Sequence, residues 1–568
     1  MSHPVMAAPP SAGSGRALRG DRIHRYVNAF CPLCHDEQPE RELAQVPRLS
    51  GWLVERDGRV WLERGCREHG LVRTLYDESP EILSYLEQWT APTKTHGPDR
   101  TGNFLPAPEA YAYGLPAMQT QHTCILVEDI TEHCNLRCPT CFADSAPSLS
   151  GVASVRDVLA NVDARLAREN GRLDVLMLSG GEPTLHPDLP ELLEQLVARP
   201  IVRILINTNG ISLSRDDDLV ALLHRHRERV EVYLQYDGES AEASRHHRGA
   251  DLRRFKDLTI DRLAAAEVFM TLTMTAALGV NDHEIGHVVL RALQTPYIGG
   301  ISIQPQFGSG RSGAIDPMNR LTHTGVLARL DEQTGGVVTW RDLTALPCSH
   351  PHCASVGYLL RDDAGDWTSL TRAVGHDRLL DWLDLAPDLL ANRVTDQALP
   401  KAMRGIVKES VLGLLSEQSS LSHPVVGDLW KGICQSCDLG VGTLATLAGS
   451  RLPGQQKRLR KLLAERVVRI TVKPFMDVST MIEERLTQCC VHVGTRGPDE
   501  ADQCAPFCAV QAWPRLARQR LSSSAGRQLP ISAVPSVAPA GPAGPAGSAG
   551  SVDSGTPPAT TPAPEVAT

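Results

Sequence analysis

The stretch CILVEDITEHCNLRCPTCF, Cys124 to Phe142, carries the reading of this chain. It begins as an apolar strand, Cys124–Asp129, and turns polar at Thr131. Three thiols then follow in one loop, Cys134, Cys138 and Cys141, spaced CxxxCxxC. Three cysteines this close suit three corners of an iron–sulfur cube. A cube has four irons, so three local ligands leave one iron for a group that is not protein. That arrangement fits a cluster that performs chemistry rather than one that only stores an electron. Cys124, inside the strand, is expected to be a small buried hydrophobe.

Downstream, strand and helix patterns alternate. Apolar strand candidates are Cys124–Asp129, Leu173–Leu178, Val202–Ile206, Val230–Tyr236, Phe269–Thr275 and Ile301–Gln304. In the first intervening segment Val155, Val158, Leu159, Val162 and Leu166 fall on one helical face, with Ser154 placed to cap its start and Gly171 to end it. Six βα units predict an α/β fold with a parallel sheet, open or curled toward a barrel. Chemistry in such sheets gathers at the C-terminal strand edges. The second strand candidate runs into Gly180-Gly181-Glu182-Pro183, where two glycines let backbone approach a ligand. The third leads to Asn207 and Asn209, the fourth to Gln235 and Asp237, the fifth to Asn281 and the sixth to Arg311. Gln235 or Asp237 could meet ribose hydroxyls or substrate, and Arg311 could pair with a carboxylate. Ordinary loop capping is the competing role for each of these polar side chains.

CxxxCxxC after the first strand of a βα repeat, followed one unit later by Gly-Gly-Glu-Pro, resembles the radical S-adenosylmethionine (SAM) superfamily. Its usual aromatic before the third cysteine is replaced by Thr140, with Phe142 following instead. The resemblance implies a partial (βα)6 TIM-like barrel of the radical SAM type. It implies a [4Fe-4S] cluster on Cys134, Cys138 and Cys141, whose open iron binds SAM and cleaves it reductively to a 5′-deoxyadenosyl radical. It places Gly180, Gly181, Glu182 and Pro183 near the SAM amino group, Asn207 and Asn209 at a SAM-contacting turn, and Asn281 near adenine and ribose. CPLC…CREHG, CNLRCPTCFA, YLQYDG, GVNDHEIG, CSHPHC and QCCVH…CAPFCA together resemble one branch of that family, roughly over residues 25–512. The branch includes archaeal tetraether lipid synthases and methanogen proteins assigned to methylation of a pterin precursor.

Residues 23–95 hold Cys31, Cys34, Cys66 and His69, two knuckle-like pairs. They suit one tetrahedral ion, iron or zinc, in a small hairpin domain of rubredoxin or zinc-ribbon type. Asp57-Gly58 between two strand-like runs is a hairpin signal. A linker is expected at 96–120, the radical SAM core at 121–312 and a cysteine-rich domain at 313–520. The last holds Cys348, Cys353, Cys434, Cys437, Cys489, Cys490, Cys504 and Cys508. Eight thiolates are enough for two auxiliary [4Fe-4S] clusters; one cluster with buried thiols is the rival reading. The Pro/Ala/Gly-rich ends, 1–22 and 521–568, are expected to be disordered.

Composition narrows the function. A net charge of −9 argues against a phosphate-gripping nucleic-acid binder, and 4% aromatics against base stacking. No run of about eighteen apolar residues predicts a spanning helix. Fifteen cysteines with no export signal suit thiols and metal ligands in a reducing, cytoplasmic compartment. The expected activity is C–C bond formation or alkylation on a lipid-like substrate, fed by an electron donor such as ferredoxin or flavodoxin, with transient membrane-surface contact. A radical methyltransferase acting on a pterin or other heteroaromatic is the alternative. An iron–sulfur electron carrier is the alternative of another class.

Overall fold

The computed structural model describes residues 21–38, 47–89, 123–377, 461–496 and 502–513, apart from 170, 314, 347, 348, 363 and 462. The side chains of 374, 495, 496 and 502–504 are also outside the description. Cys348, Cys434 and Cys437 therefore lie outside the described residues, as does the side chain of Cys504. The same holds for the expected linker and nearly all of both expected tails.

The chain opens with a four-stranded antiparallel sheet in the order β1 (Arg22–Ala29), β2 (Leu49–Arg56), β3 (Arg59–Cys66), β4 (Gly70–Asp77). Asp57 and Gly58 join β2 to β3, both at positive φ (52° and 71°). That backbone twist matches the twist of the flanking strands, as the Asp-Gly pair predicts. Two short helices flank this ribbon, α1 (Pro32–Glu37) and α2 (Pro80–Glu87). Ser79 caps α2 by accepting from the Ile82 amide.

Six parallel strands follow: β5 (Ile125–Thr131), β6 (Leu173–Gly180), β7 (Ile201–Thr208), β8 (Val230–Gln235), β9 (Met270–Ala276) and β10 (Ile298–Pro305). Each pairs in parallel with the next. Helices α3 (Val155–Arg168), α4 (Leu189–Val197), α5 (Asp217–Arg225), α6 (Ala241–Arg248), α7 (Arg253–Ala265) and α8 (Ile285–Gln294) connect them. The first behaves as its pattern requires. Ser154 accepts from the Asp157 amide, Val158, Val162 and Leu166 are buried, and Gly171 ends the segment at φ 79°.

Alternation along the strands separates two cores. Leu176, Leu178, Ile204, Ile206, Val232 and Leu234 face the helices and are fully buried, each worth about 1.5–3 kcal/mol. Val175, Leu205 and Tyr233 face inward and share a cluster with Phe30 and Leu83 of the ribbon and with Phe507 and Trp513 near residue 513. Residues at or just past the C-terminal ends of all six parallel strands line one cavity, so the sheet curls as a half-barrel around it.

The segment after residue 312 does not stand apart. β11 (Thr344–Ala345), β12 (Ser355–Arg361) and β13 (Trp367–Ser369) extend one flank. β14 (Val467–Val472) pairs in parallel with β10, and β15 (Val491–Arg496) in parallel with β5. β16 (Asp502–Pro506) pairs antiparallel with β15. One twelve-stranded sheet results. The ribbon docks on it through the Ala29–Ile482 bridge, through Leu75, whose amide donates to the Pro317 carbonyl at 2.7 Å, and through Asp77, which accepts from the Thr324 amide and hydroxyl. Among the described residues no helix is long and apolar enough to cross a membrane.

Candidate functional site

The cavity at the strand ends is walled on one side by Cys134, Cys138 and Cys141 together. Their loop is fixed by backbone. The Glu132 amide donates to Gly151 O (2.7 Å) and the Cys141 amide to Cys138 O (3.3 Å). Arg311, after β10, clamps the same loop. Its amide donates to Cys141 O (2.9 Å), its Nε to Cys138 O (3.0 Å), and its guanidinium pairs with Asp144 (2.8 Å). Arg311 was expected as a cation for a ligand carboxylate; the structure engages it in holding the cysteine loop, outside the cavity lining.

The Gly180–Glu182 turn also departs from its simplest reading. A Cβ on Gly181 would overlap the His133 carbonyl oxygen, and one on Gly180 the Thr131 carbonyl. Gly181 donates its amide to Thr131 O (2.6 Å) and Glu182 to His133 O (2.8 Å). The glycines first let this turn seat against the cysteine loop. Both still line the cavity. Glu182, nearly fully buried, accepts from the hydroxyls of Thr184 and Thr208 (2.6 Å each) and from the Asn209 amide (2.8 Å). It ties the turns after β6 and β7 into one rigid edge. Pro183 starts the 3-10 turn that follows.

Polar side chains cross the next strand ends as a ladder. Asn207 Nδ2 donates to Ser179 Oγ (3.3 Å), Gln235 Nε2 to Asn207 Oδ1 (2.7 Å), and Arg248 Nη2 to Gln235 Oε1 (2.9 Å). Asn209 Nδ2 donates to Asn135 Oδ1 in the cysteine loop (2.7 Å). Asp237 makes a two-pronged ion pair with Arg248 at 2.6 Å. Burial opposes the charge on Asp237, but the Arg248 guanidinium outweighs it and holds the carboxyl below its usual range. Asn281 is fully buried. Its amide donates to Asp237 O and Thr275 O and its carbonyl accepts from Ala277 N, which makes it a pin between the turns after β8 and β9.

Arg248 is the residue that sequence reasoning missed. It is the last residue of α6, which Gly249 ends at φ 78°. The helix brings a mostly buried cation, its side chain 11% exposed, back to the cavity wall beside the cysteines. Burial pushes the Cys138 thiol up, and the Arg248 charge opposes it. Lys256 lies behind, donating to the Asn209 carbonyl, its ammonium lowered by burial to about 8. The signal for Arg248 was faint: a basic residue before a helix-ending glycine, in the unit after β8.

This donor set fits the group the sequence pattern implies. Three thiols face one cavity, and no fourth cysteine or histidine lines it among the described residues. One iron of a [4Fe-4S] cluster held there would stay open, beside the Gly180–Glu182 edge and Arg248.

In the ribbon, Cys31, Cys34, Cys66 and His69 bring four ligand atoms within 4.8 Å of one another. His69 Nδ1 lies 3.4 Å from Cys34 Sγ and 3.6 Å from the sulfurs of Cys31 and Cys66, while its Nε2 is held by Glu37 at 3.0 Å. Three soft sulfurs and an oriented imidazole suit a tetrahedral ion. Burial would raise the Cys66 thiol, yet the His69 and Glu68 amides bring it down to about 7, which favours a thiolate.

Of the remaining cysteines, Cys353 and Cys508 lie near buried Arg485, whose Nε donates to Cys353 Sγ at 3.4 Å, and Cys489 lies near both of these thiols. Cys508 Sγ accepts from the Met476 amide at 3.3 Å. Cys490 is buried, and its carbonyl accepts from the amides of Cys124 (2.9 Å) and Ile125 (3.1 Å) at the edge of β5. Cys124 is fully buried.

The family model described as the radical SAM superfamily matches residues 129–292, and that of the HMPTM N-terminal zinc ribbon domain residues 23–78. A 7,8-dihydro-6-hydroxymethylpterin dimethyltransferase of Methanocaldococcus jannaschii is 25% identical over 504 residues, 84% of this chain and 92% of the relative. A GTP 3′,8-cyclase of Chlorobaculum tepidum is 32% identical over 160 residues, 28% of this chain and 46% of that one. Among solved structures, Streptococcus suis SuiB aligns with 50% of this chain and 67% of its own, at 15% identity and a TM-score of 0.32. Given the CxxxCxxC loop at the mouth of a curled parallel sheet and the match over residues 129–292, the chain is an enzyme of the radical SAM superfamily.

Proposed function

We propose that this enzyme is a radical SAM methyltransferase acting on a pterin or closely similar heteroaromatic. The supporting observation is the similarity to the pterin dimethyltransferase, which spans 84% of this chain and 92% of the relative. The character of the cavity agrees. Beyond the cysteines it is lined by Thr140, Ser145, Asn207, Gln235, Thr275, Gln304 and Gln306, with Phe142 and Phe307 as its aromatic wall. Carboxamides and hydroxyls beside aromatic faces suit a flat molecule with a hydrogen-bonding edge. The lipid-like substrate expected first would ask for a long apolar channel, which this lining supports less.

Within this reading Cys134, Cys138 and Cys141 hold the cluster. Gly180, Gly181, Asn207, Asn209 and Gln235 shape the SAM site, and Arg248 offers the cation for its carboxylate. Bound there, cluster and SAM supply a 5′-deoxyadenosyl radical by one-electron reductive cleavage. The protein's own part is to orient: the buried Glu182 and Asp237–Arg248 networks fix the edge against which SAM lies. The same reading divides the chain into a ribbon at 23–95 carrying iron or zinc, a core at 121–312 and a cysteine-rich part at 313–520 with up to two auxiliary clusters. It calls for a small electron-carrier protein and a reducing compartment.

The test is 5′-deoxyadenosine formation by anaerobically reconstituted full-length protein with reductant and SAM. Stimulation by a 6-hydroxymethyl-dihydropterin is expected. Stimulation by isoprenoid lipid but not by the pterin would reject the proposal.

A further inference from the structure

The carboxamides that line the cavity are of two kinds. Asn207, Asn209 and Gln235 both give and accept within the protein. Gln235 donates to Asn207 and accepts from Arg248, Asn207 donates to Ser179, and Asn209 donates to Asn135 while accepting the Ile211 amide at 3.0 Å. Gln304 and Gln306 only give. Gln304 Nε2 donates to Tyr233 Oη (3.1 Å) and Ser302 Oγ (3.4 Å), and Gln306 Nε2 donates to Ser312 Oγ (2.9 Å). Neither carbonyl oxygen accepts a bond among the described residues, although both side chains are half-buried in the cavity wall.

The backbone sets these two side by side. In β10, Ile301 and Ile303 pack toward the helices, so Ser302 and Gln304 face the interior. Pro305 closes the strand, yet the Gln306 amide still donates to Ala276 O at 2.8 Å. The chain therefore stays extended beside β9, and Gln306 falls on the same face as Gln304. Phe307 follows, its ring stacked on Phe142 with 6.4 Å between centroids. Two open acceptors and an aromatic face thus come from four consecutive residues on the β10 side of the cavity.

Paired acceptors in a partly buried wall call for paired donors. The adenine of SAM carries one amino group flanked by acceptor nitrogens, and a lipid chain carries no donor at all. A 2-amino-4-oxopyrimidine carries a ring N–H and an exocyclic amino group side by side on one edge. We propose that the carbonyl oxygens of Gln304 and Gln306 read that donor edge and make the enzyme specific for it, with Phe307 against the ring face. The inference rests on the pterin reading above and adds which edge of the bicycle meets the protein. Guanines share this edge, so the test includes one.

The experiment is equilibrium dialysis against anaerobically reconstituted full-length protein with SAM, as wild type, Gln304→Glu, Gln304→Leu and Gln306→Leu. The probes are 6-hydroxymethyl-dihydropterin, its analogue with hydrogen in place of the 2-amino group, and GTP. Wild type should prefer the amino compound by about tenfold, and each Leu variant should bind it about tenfold more weakly, one of the two losing the preference. Gln304→Glu decides the polarity. A carboxylate still accepts, and the Tyr233 and Ser302 hydroxyls can turn their protons toward it, so the pterin should bind at least as tightly as to wild type. Binding as weak as in Gln304→Leu overturns the proposal, and so does equal affinity of wild type for the pterin and its analogue. A matching fall in SAM affinity in the Leu variants assigns the pair to SAM and also overturns it. GTP binding in place of the pterin, with the same pattern across the variants, keeps the acceptor edge and rejects the pterin reading. Pterin binding in this pattern without stimulated 5′-deoxyadenosine formation keeps the edge and rejects the reaction. Binding of neither bicycle to wild type overturns both.

Discussion

Replacing Arg248 by Met separates two roles, bracing the turn after β8 and, in the function proposed above, offering a charge to SAM. In the folded protein Asp237 is 6% exposed and both its oxygens meet Arg248 at 2.6 Å. Removing the cation leaves a buried carboxylate alone, which costs about 3–5 kcal/mol. It also removes a charged hydrogen-bond donor from the cavity wall, worth about 1.5–3 kcal/mol to a bound carboxylate. At about 1.4 kcal/mol per tenfold, SAM binding should weaken by roughly 10- to 150-fold. The double variant Arg248→Met with Asp237→Asn tells the effects apart. Asn keeps an oxygen to accept the Thr275 amide now bound at 3.2 Å, and it no longer buries a bare charge. Thermal unfolding should recover most of the loss. Equilibrium dialysis with SAM should remain weak, and 5′-deoxyadenosine formation slow. Wild-type SAM affinity in the double variant would remove Arg248 from the SAM site. A double variant no more stable than Arg248→Met would show that the buried carboxylate is not the source of the cost.

Cys138→Ala should lower iron by about four atoms per chain after anaerobic reconstitution and abolish SAM cleavage; retained cleavage would contradict the three-thiol assignment. Gly181→Ala forces a methyl against the His133 carbonyl, so SAM cleavage and melting temperature should both fall. Gly279→Ala, at φ 74° with no heavy atom within 4 Å, should cost only about 1 kcal/mol of backbone strain, and equal damage from the two would refute the steric argument. Glu87 accepts from His24 and His352 at 3.0 Å each; burial would raise its carboxyl, but those bonds hold it well below the usual range. Its stabilisation is therefore full above the unfolded carboxyl value and is lost as pH falls toward the folded one. Glu87→Gln should cost about 1–3 kcal/mol at pH 7 and flatten the acid side of the melting-temperature profile; an unaltered profile would count against the linkage.

Much of the half-barrel could be read from local pattern, because local physics builds it. Alternating apolar runs mark β5 to β10, Ser154 and Gly171 bound α3, and Asp57-Gly58 shapes the ribbon hairpin. The three cysteines announced their loop, since ligand spacing in a single loop is a property of sequence alone. What could not be read was long-range. Nothing in Val467–Val472 or Val491–Arg496 says that they pair with β10 and β5, because a strand's partner is not written in its own residues. Arg311 and Asn281 show a second limit. A polar residue past a strand end can face the cavity or brace a neighbouring loop, and the two roles have the same local signature. Arg248 shows the converse: it reaches the cavity from the far end of a helix, where no strand-end rule points.

The pairing of β14 and β15 with opposite flanks of the half-barrel bears on how the molecule is made. As the chain leaves the ribosome, β5 and β10 emerge with bare hydrogen-bonding edges. Those edges stay open until residues 467–496, synthesised well over a hundred positions later, arrive to cover both. Through that interval the nascent half-barrel offers two templates for wrong pairing with other chains. A fragment ending at residue 312 would keep both permanently, and it should precipitate where the full-length protein stays dispersed.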